Sequence, residues 1–316
     1  MKRIFFLLLV VVLAACSKST YEKLDDGVVV NLAGAQKNAP KTLKIQFVSA
    51  DIVHVQGFDA AVSETDTSLI VPRRSGVFTD WTLTEESGLL KLASATVTAE
   101  VSLKTGQVRF FDKDGNLKLS EVPNGGKTLE PFADGDVTRY RVRQMFDSPE
   151  DEAFYGLGQH QNGEFNYKGL DVELLQNNIV AVVPFVFSNK NYGILWDNYS
   201  ITRFGDPRAY EPVSTLILKD KNGKEGGLTA SYFNAAGEVV VERQENTIDY
   251  ENLQTYKNTP EGYEMNAGNR VVWEGEIGSN VEGLHKFRLW AGGYSKLWIN
   301  DQLMFDKWRQ CWNPWY

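Results

Sequence analysis

Amide side chains gather in two short runs of this chain, Gln159-His160 and Gln176-Asn177-Asn178. A carboxamide donates and accepts hydrogen bonds at once, so such runs suit pairs of hydroxyls on a bound ligand. The same residue types also cap turns, and both readings stand at this level. Adjacent carboxylates that could serve acid and base roles occur at Asp25-Asp26, Glu85-Glu86 and Glu150-Asp151-Glu152, all in polar stretches. A catalytic carboxyl needs desolvation and a partner, so these read as solvated loop charge. The histidines are dispersed. His160 reads as a structural hydrogen-bonder rather than a base, and His54 as a strand residue. His285 shares parity with Phe287 and Leu289, which favours a packed position. Asn300-Asp301 is a poor cation site and a good hairpin turn. The residues therefore assign no catalytic group, no metal and no cofactor.

The elements that must position these groups are strands. Lys41 to Ser49 alternates, with Leu43, Ile45 and Phe47 on one face, and Asp51 to Gly57 follows as its pair. The rhythm recurs at 89–93, 95–103 and 107–112, with turns at Lys104-Thr-Gly106 and Lys113-Asp-Gly-Asn116. Ile179 to Ser188 is continuously apolar, as expected of a strand covered on both faces. Asp220 to Gly227 is charged and glycine-rich, the composition of a domain boundary. Strands then resume at 228–233, 238–243, 271–275, 284–290 and 297–299. The fold class expected is all-β: two consecutive antiparallel β-sandwich domains, the second incomplete.

The N-terminus sets the compartment. Lys2 and Arg3, the apolar run Ile4 to Leu13, and Leu13-Ala-Ala-Cys16 match a secretory signal with a lipoprotein cleavage site. The run is shorter than the roughly 20 residues that span a bilayer. The expected organisation is a signal peptide at 1–15, a lipidated Cys16 with a polar tether to residue 27, one sandwich over 28–219 and another over 226–316. Such a protein is exported and membrane-anchored, at the periplasmic or outer-membrane surface. With 33 Lys+Arg against 41 Asp+Glu, a net charge of −8 excludes an electrostatic footprint for nucleic acid. Of the two cysteines, Cys16 and Cys311, lipidation of the first leaves the second without an intramolecular partner.

Two stretches carry a family resemblance. Phe154-Tyr-Gly-Leu-Gly-Gln-His160, Leu174-Leu-Gln-Asn-Asn178, Val183-Pro-Phe-Val-Phe-Ser188 and Asn191-Tyr-Gly-Ile-Leu-Trp-Asp-Asn198 resemble the N-terminal, galactose-mutarotase-like sandwich of glycoside hydrolase family 31. Within that family they are most similar to bacterial α-xylosidases of xyloglucan breakdown. Gly226 to Tyr316, with Trp273-Glu-Gly275 and Leu297-Trp-Ile-Asn-Asp-Gln-Leu-Met-Phe-Asp-Lys-Trp308, resembles the protective-antigen-type β-sandwich. In some xylosidases that module is inserted in the N-terminal domain and helps wall the substrate pocket.

The resemblance implies a carbohydrate ligand and no chemistry of its own. Family 31 enzymes carry both catalytic aspartates on a (β/α)₈ barrel, and no residue here matches either motif or the βαβα pattern of a barrel. A loop of the family's first sandwich touches the sugar, and Gln176-Asn177-Asn178 resembles it, with Gln159-His160 in the neighbouring motif. The expected function is a non-catalytic part of an α-glycosidase that frames the sugar site and assembles with a catalytic-barrel polypeptide. A stand-alone glycan-binding lipoprotein and a structural module without sugar affinity are the alternatives. Six tryptophans, Trp273, Trp290, Trp298, Trp308, Trp312 and Trp315, fall after residue 270. Flat rings can stack on pyranoses, but Trp273 and Trp298 read first as sandwich core. A second sandwich lacking strands is expected to be marginally stable.

Overall fold

The structure is a computed structural model that describes residues 20–32, 36–62, 68–72, 76–160, 162–176, 180–206, 209–250 and 258–309. Cys16, Asn177, Asn178, Cys311, Trp312 and Trp315 lie outside the described residues. The chain divides into two compact units, residues 1–159 with 164–205, and residues 160–163 with 206–316.

In the first unit, β1 (Tyr21–Lys23), β2 (Gly27–Asn31), β3 (Thr42–Ser49) and β4 (Ile52–Phe58) form an antiparallel sheet in chain order. Tyr21–Lys23, which the sequence assigned to the tether, pairs with Val28 to Val30 as an edge strand, because Val28 and Val30 need the whole of that sheet to bury them. The facing sheet is built from β5 (Thr82–Glu86), β6 (Leu89–Ala93), β7 (Val97–Ser102), β8 (Val108–Asp112) and β9 (Leu117–Glu121). The chain leaves it as a two-stranded ribbon, β10 (Lys127–Asp134) and β11 (Val137–Gln144), and returns as the short edge strand β12 (Phe146–Asp147). Alternation decides which side chains meet between the sheets: Leu43, Ile45 and Phe47 bury with Leu90, Leu92, Val101 and Val108. At the base of the ribbon, Lys127 pairs with the Glu121 carboxylate, which also accepts from the Val108 N–H at 2.8 Å. Both charges are buried. Burial pushes the Glu121 carboxyl up to about 7 against the pull of Lys127, and lowers Lys127.

The rest of this unit holds β13 (Phe154–Gln159), β14 (Val172–Leu174), β15 (Ala181–Ser188), β16 (Tyr192–Leu195) and β17 (Thr202–Phe204). β15 lies between β13 and β16, and β14 pairs with β17. Leu157, Val172, Leu174 and Val186 form a second core.

In the second unit, β18 (Ile217–Asp220), β19 (Leu228–Phe233), β20 (Val239–Glu245) and β21 (Arg270–Gly278) form a sheet in the order β18-β21-β19-β20. β22 (Gly293–Ile299) and β23 (Gln302–Arg309) form a hairpin. Ile217–Asp220, read from sequence as the end of the first domain, thus belongs to the second unit through its pairing with Gly275 to Gly278. The stretch after it is a tight turn rather than an open linker. Asp220 Oδ1 accepts the Asn222 and Lys224 N–H groups at 2.9 Å each. Asp112 and Asn234 do the same for the residues two and four ahead, and Gly115, Gly223 and Gly237 supply the left-handed corner with φ of 80°, 82° and 84°. At Asp112 the Asn116 amide and backbone N–H hold the carboxyl well below its ordinary range.

Two sequence expectations fail here. Residues 284–290 form no strand; His285, Phe287 and Leu289 are exposed, because no neighbouring strand among the described residues offers them hydrogen bonds. Trp298 is exposed on β22, whereas Trp273 packs against the core of Ala230, Tyr232 and Tyr263. Strand parity alone cannot distinguish these positions, since a residue's cover comes from elsewhere in the chain.

Candidate functional site

The Gly-Leu-Gly of β13 is a backbone device. Gly156, Leu157 and Gly158 take φ of 109°, 64° and 93°, and the register with β15 shifts between the two glycines. A Cβ at Gly158 would stand 2.0 Å from the Ala181 carbonyl oxygen, and one at Gly156 would stand 2.6 Å from that of Phe185. Only glycine fits either position. Strict alternation with Tyr155 would send Leu157 to the outer face, but the left-handed turn drives it into the core, where it is 2 % exposed. The strand re-emerges with Gln159 opposite Ala181, on the outer face.

Gln176 sits beside this strand end. Its Oε1 accepts the Val182 N–H at 3.0 Å, and its Nε2 donates to the Val180 carbonyl. Its amide thus ties residue 176 to the start of β15, the capping role that its residue type allows. The structure brings Gln159 and Gln176 to the same end of one three-stranded sheet. His160 groups with the second unit and is half-buried.

The outer face of that sheet is apolar. Tyr155 stands opposite Phe187, ring centroids 5.4 Å apart, and Phe185 stands opposite Leu195. Val183, Phe185, Phe187 and Leu195 are between 40 % and 49 % exposed. Over 181–188 the continuous apolar run is therefore covered on one face and open on the other. Phe165 extends the patch by stacking on Tyr155 at 5.0 Å.

Glu152 and Glu245 each sit in a donor network that no local pattern in the sequence announces. Glu152, whose polar neighbours in sequence suggest a solvated loop, is buried and accepts the hydroxyls of Ser148 at 2.7 Å, Ser188 at 2.5 Å and Tyr192 at 2.6 Å. Burial and that carboxylate push the Tyr192 hydroxyl up. In the second unit, Glu245 accepts Tyr250 Oη at 2.9 Å, Trp273 Nε1 at 2.8 Å, Arg243 Nε at 2.6 Å and the Tyr232 hydroxyl. Burial opposes its charge, but these four donors together lower its pKa. Each carboxylate is saturated by donors on its own unit, so these clusters fasten loops to strands and neither is an acid–nucleophile pair. Their signal in sequence would have been the Tyr and Ser partners, which are up to 40 positions distant. Among the described residues no group of His, Cys, Asp and Glu could hold a metal ion.

Comparison with known proteins agrees with these two units. Residues 42–204 match the glycosyl hydrolase 31 N-terminal galactose mutarotase-like domain, and residues 224–315 match the PA14 domain. The chain is similar to the GH31 α-xylosidase of Xanthomonas citri, at 40 % identity and a TM-score of 0.75 over 93 % of this chain and 32 % of that one. It is also similar to a GH31 α-xylosidase from a soil metagenome complexed with xylose, at 25 % identity and a TM-score of 0.50 over 58 % of this chain and 29 % of that one. An α-xylosidase of Saccharolobus solfataricus is 30 % identical over 50 % of this chain and 22 % of its own length. The chain thus spans about a third or less of each of these relatives. With more than half of its residues matched by the first domain, the chain belongs to the glycosyl hydrolase 31 N-terminal galactose mutarotase-like domain family.

Proposed function

We propose that this chain is the non-catalytic, site-framing part of an α-xylosidase-type glycosidase, presenting Gln159 and the loop after Gln176 to a sugar. The observation that carries this reading is the open apolar face of β13, β15 and β16, with Gln159 on the same face. An apolar sheet face of this kind needs a polypeptide cover, which a catalytic barrel would supply. Gln159 would then stand at the rim of the covered face, where a side chain meets a substrate. Retaining glycosidases need two carboxyls about 5 to 5.5 Å apart, and the carboxylates described above are consumed by structural donors. The purified chain should leave an aryl α-xyloside intact and should shift the NMR signals of added xylose, with the shift reduced by Gln159→Ala. Turnover of the xyloside would sink the non-catalytic reading, and unperturbed signals would favour a structural module.

Lipidation at Cys16 and export to the membrane surface complete the proposal, supported by Leu13-Ala-Ala-Cys16 after an apolar run. Radiolabelled palmitate should enter the wild-type chain in a bacterial host and not Cys16→Ser. Equal labelling of both would remove the anchor.

A further inference from the structure

The β10–β11 ribbon has an inward and an outward face. Residues directly opposite one another share a face, so Lys127 with Gln144, Leu129 with Val142 and Pro131 with Tyr140 lie on one side. That side meets the body of the first unit. Lys127 pairs with buried Glu121, Gln144 Nε2 donates to the Gly125 carbonyl at 3.4 Å, and the Tyr140 hydroxyl donates to Asp59. Arg143, Arg141 and Arg139, opposite Thr128, Glu130 and Phe132, therefore share the outward face. They are exposed and follow one another at about 6.6 Å along β11. Arg139 is bound by Asp134, and Arg141 lies over the Phe132 ring at 5.0 Å. Exposed Lys37 and Lys41, between β2 and β3, add two cations nearby. The acids there are Glu130, Asp134 and Asp136 on the ribbon and Asp59 on its inward side. Cations thus outnumber acids at this end of a chain whose net charge is −8.

The same end of the first sheet receives the chain from its N-terminus. The Asn31 N–H donates to the Thr20 carbonyl at 2.8 Å, Asn31 stands opposite Thr42, and Thr42 opposite Phe58, so these residues form one row across the sheet. The ribbon is fastened beside that row: the Leu129 N–H donates to the Asn38 carbonyl at 2.6 Å, and Asp59, which holds Tyr140, directly follows Phe58. From Cys16 to Thr20 the chain advances four residues, a reach of at most about 14 Å. A lipid on Cys16 therefore keeps a bilayer within reach of the ribbon, and at that effective concentration a few cations suffice to hold the surface. Guanidinium forks also match phosphate oxygens in geometry. A second copy docked through the same face would instead bring two arginine rows together. We propose that the outward face of the ribbon, with Lys37 and Lys41, is a membrane-facing foot that lies on anionic lipid phosphates and fixes the orientation of the first unit. This inference rests on the lipidation of Cys16 proposed above.

Fluorescent labels at the two ends of the first unit test this, read in vesicles of phosphatidylcholine and phosphatidylglycerol that carry a headgroup-attached quencher. Val137→Cys places the label on the ribbon and Ile52→Cys at the opposite end of the first sheet, each in a Cys311→Ser background. Val137 and Ile52 are 53 % and 55 % exposed, so neither label disturbs a core. The lipidated chain should float with the vesicles, its ribbon label quenched and its Ile52→Cys label bright. Arg141→Gln/Arg143→Gln should still float but lower the ratio of docked to undocked ribbon about thirtyfold, two cations being lost from an anionic surface. Vesicles of phosphatidylcholine alone should release the ribbon of the wild-type chain likewise. A chain that floats with both labels equally quenched would overturn the foot and leave the anchor standing. One that fails to float would remove the anchor, and the foot with it. Ribbon quenching unchanged by the arginine substitutions would also overturn the proposal, and quenching that vanishes as protein is diluted among lipid would make the face a contact between copies instead.

Discussion

The two units of this chain reach stability by different means. The first buries Val28, Leu43, Ile45, Phe47, Leu90 and Leu92 between two sheets, so apolar burial carries it. The fully buried core of the second centres on Ala230 and Tyr232, and its order comes from one carboxylate, Glu245, tied to two tyrosines, a tryptophan and an arginine. Dispersed aliphatic packing degrades gradually under substitution, whereas a polar network fails as a whole when one member is removed.

That contrast can be broken from either side. The largest expected effect is that of Phe47→Ala, about 4 kcal/mol for a large aromatic lost from a dense core, read as a lower urea midpoint of the first unit with the second unchanged. Glu245→Gln should destabilise the second unit by about 3 kcal/mol, because Arg243 then sits half-buried without its counter-charge. Cleavage by protease after residue 206 should accelerate in that variant and leave 28–205 intact.

The pH dependence sharpens the same comparison. Glu121 has a folded pKa raised from 4.5 to about 7, so the folded first unit binds the extra proton. Its contribution is fully present below pH 4.5 and is lost as pH rises through 7, by up to about 3 kcal/mol. Glu245 is lowered, so its contribution is present above pH 4.5 and is lost as pH falls through its folded pKa. Raising the pH from 4.5 to 7.5 should therefore lower the melting point of the first unit and leave the second nearly unchanged, lowering the pH from 4.5 to 2.5 should weaken the second through Glu245, and Glu121→Gln should flatten the first response. A parallel response of both units would contradict this assignment.

Smaller effects belong to local backbone and surface. Gly158→Ala should cost about 2 kcal/mol, since the left-handed backbone is strained for alanine and its Cβ meets the Ala181 carbonyl. Heteronuclear NMR should localise the change to β13 and β15. Trp298→Ala should change stability by less than about 0.5 kcal/mol, as expected of an exposed side chain, and a larger loss would return Trp298 to the core.

Short-range patterns were legible. Leu43, Ile45 and Phe47 announced their buried face by alternation, and Lys113-Asp-Gly-Asn116 and Asn300-Asp301 announced their turns by residue type. The tight approach of Gly156 and Gly158 to β15 gives a physical reason for a motif first noticed only as a resemblance. Glu152 was not legible, because Ser188 and Tyr192 reach it from 36 and 40 positions away. The apolar run at 181–188 promised cover on two faces and received it on one, since apolar residues record a demand for burial without naming what supplies it.

By itself, then, the sequence determined the strongly alternating strands, the tight turns and the family, because period, turn residues and motif spacing act over a few neighbours along the chain. Only the tertiary structure decided which faces remain open: the outer side of β15, the aromatic side of β22 and β23, and residues 284–290, which form no strand. Exposure depends on which distant segments arrive to cover a surface, and no local pattern encodes an arrival.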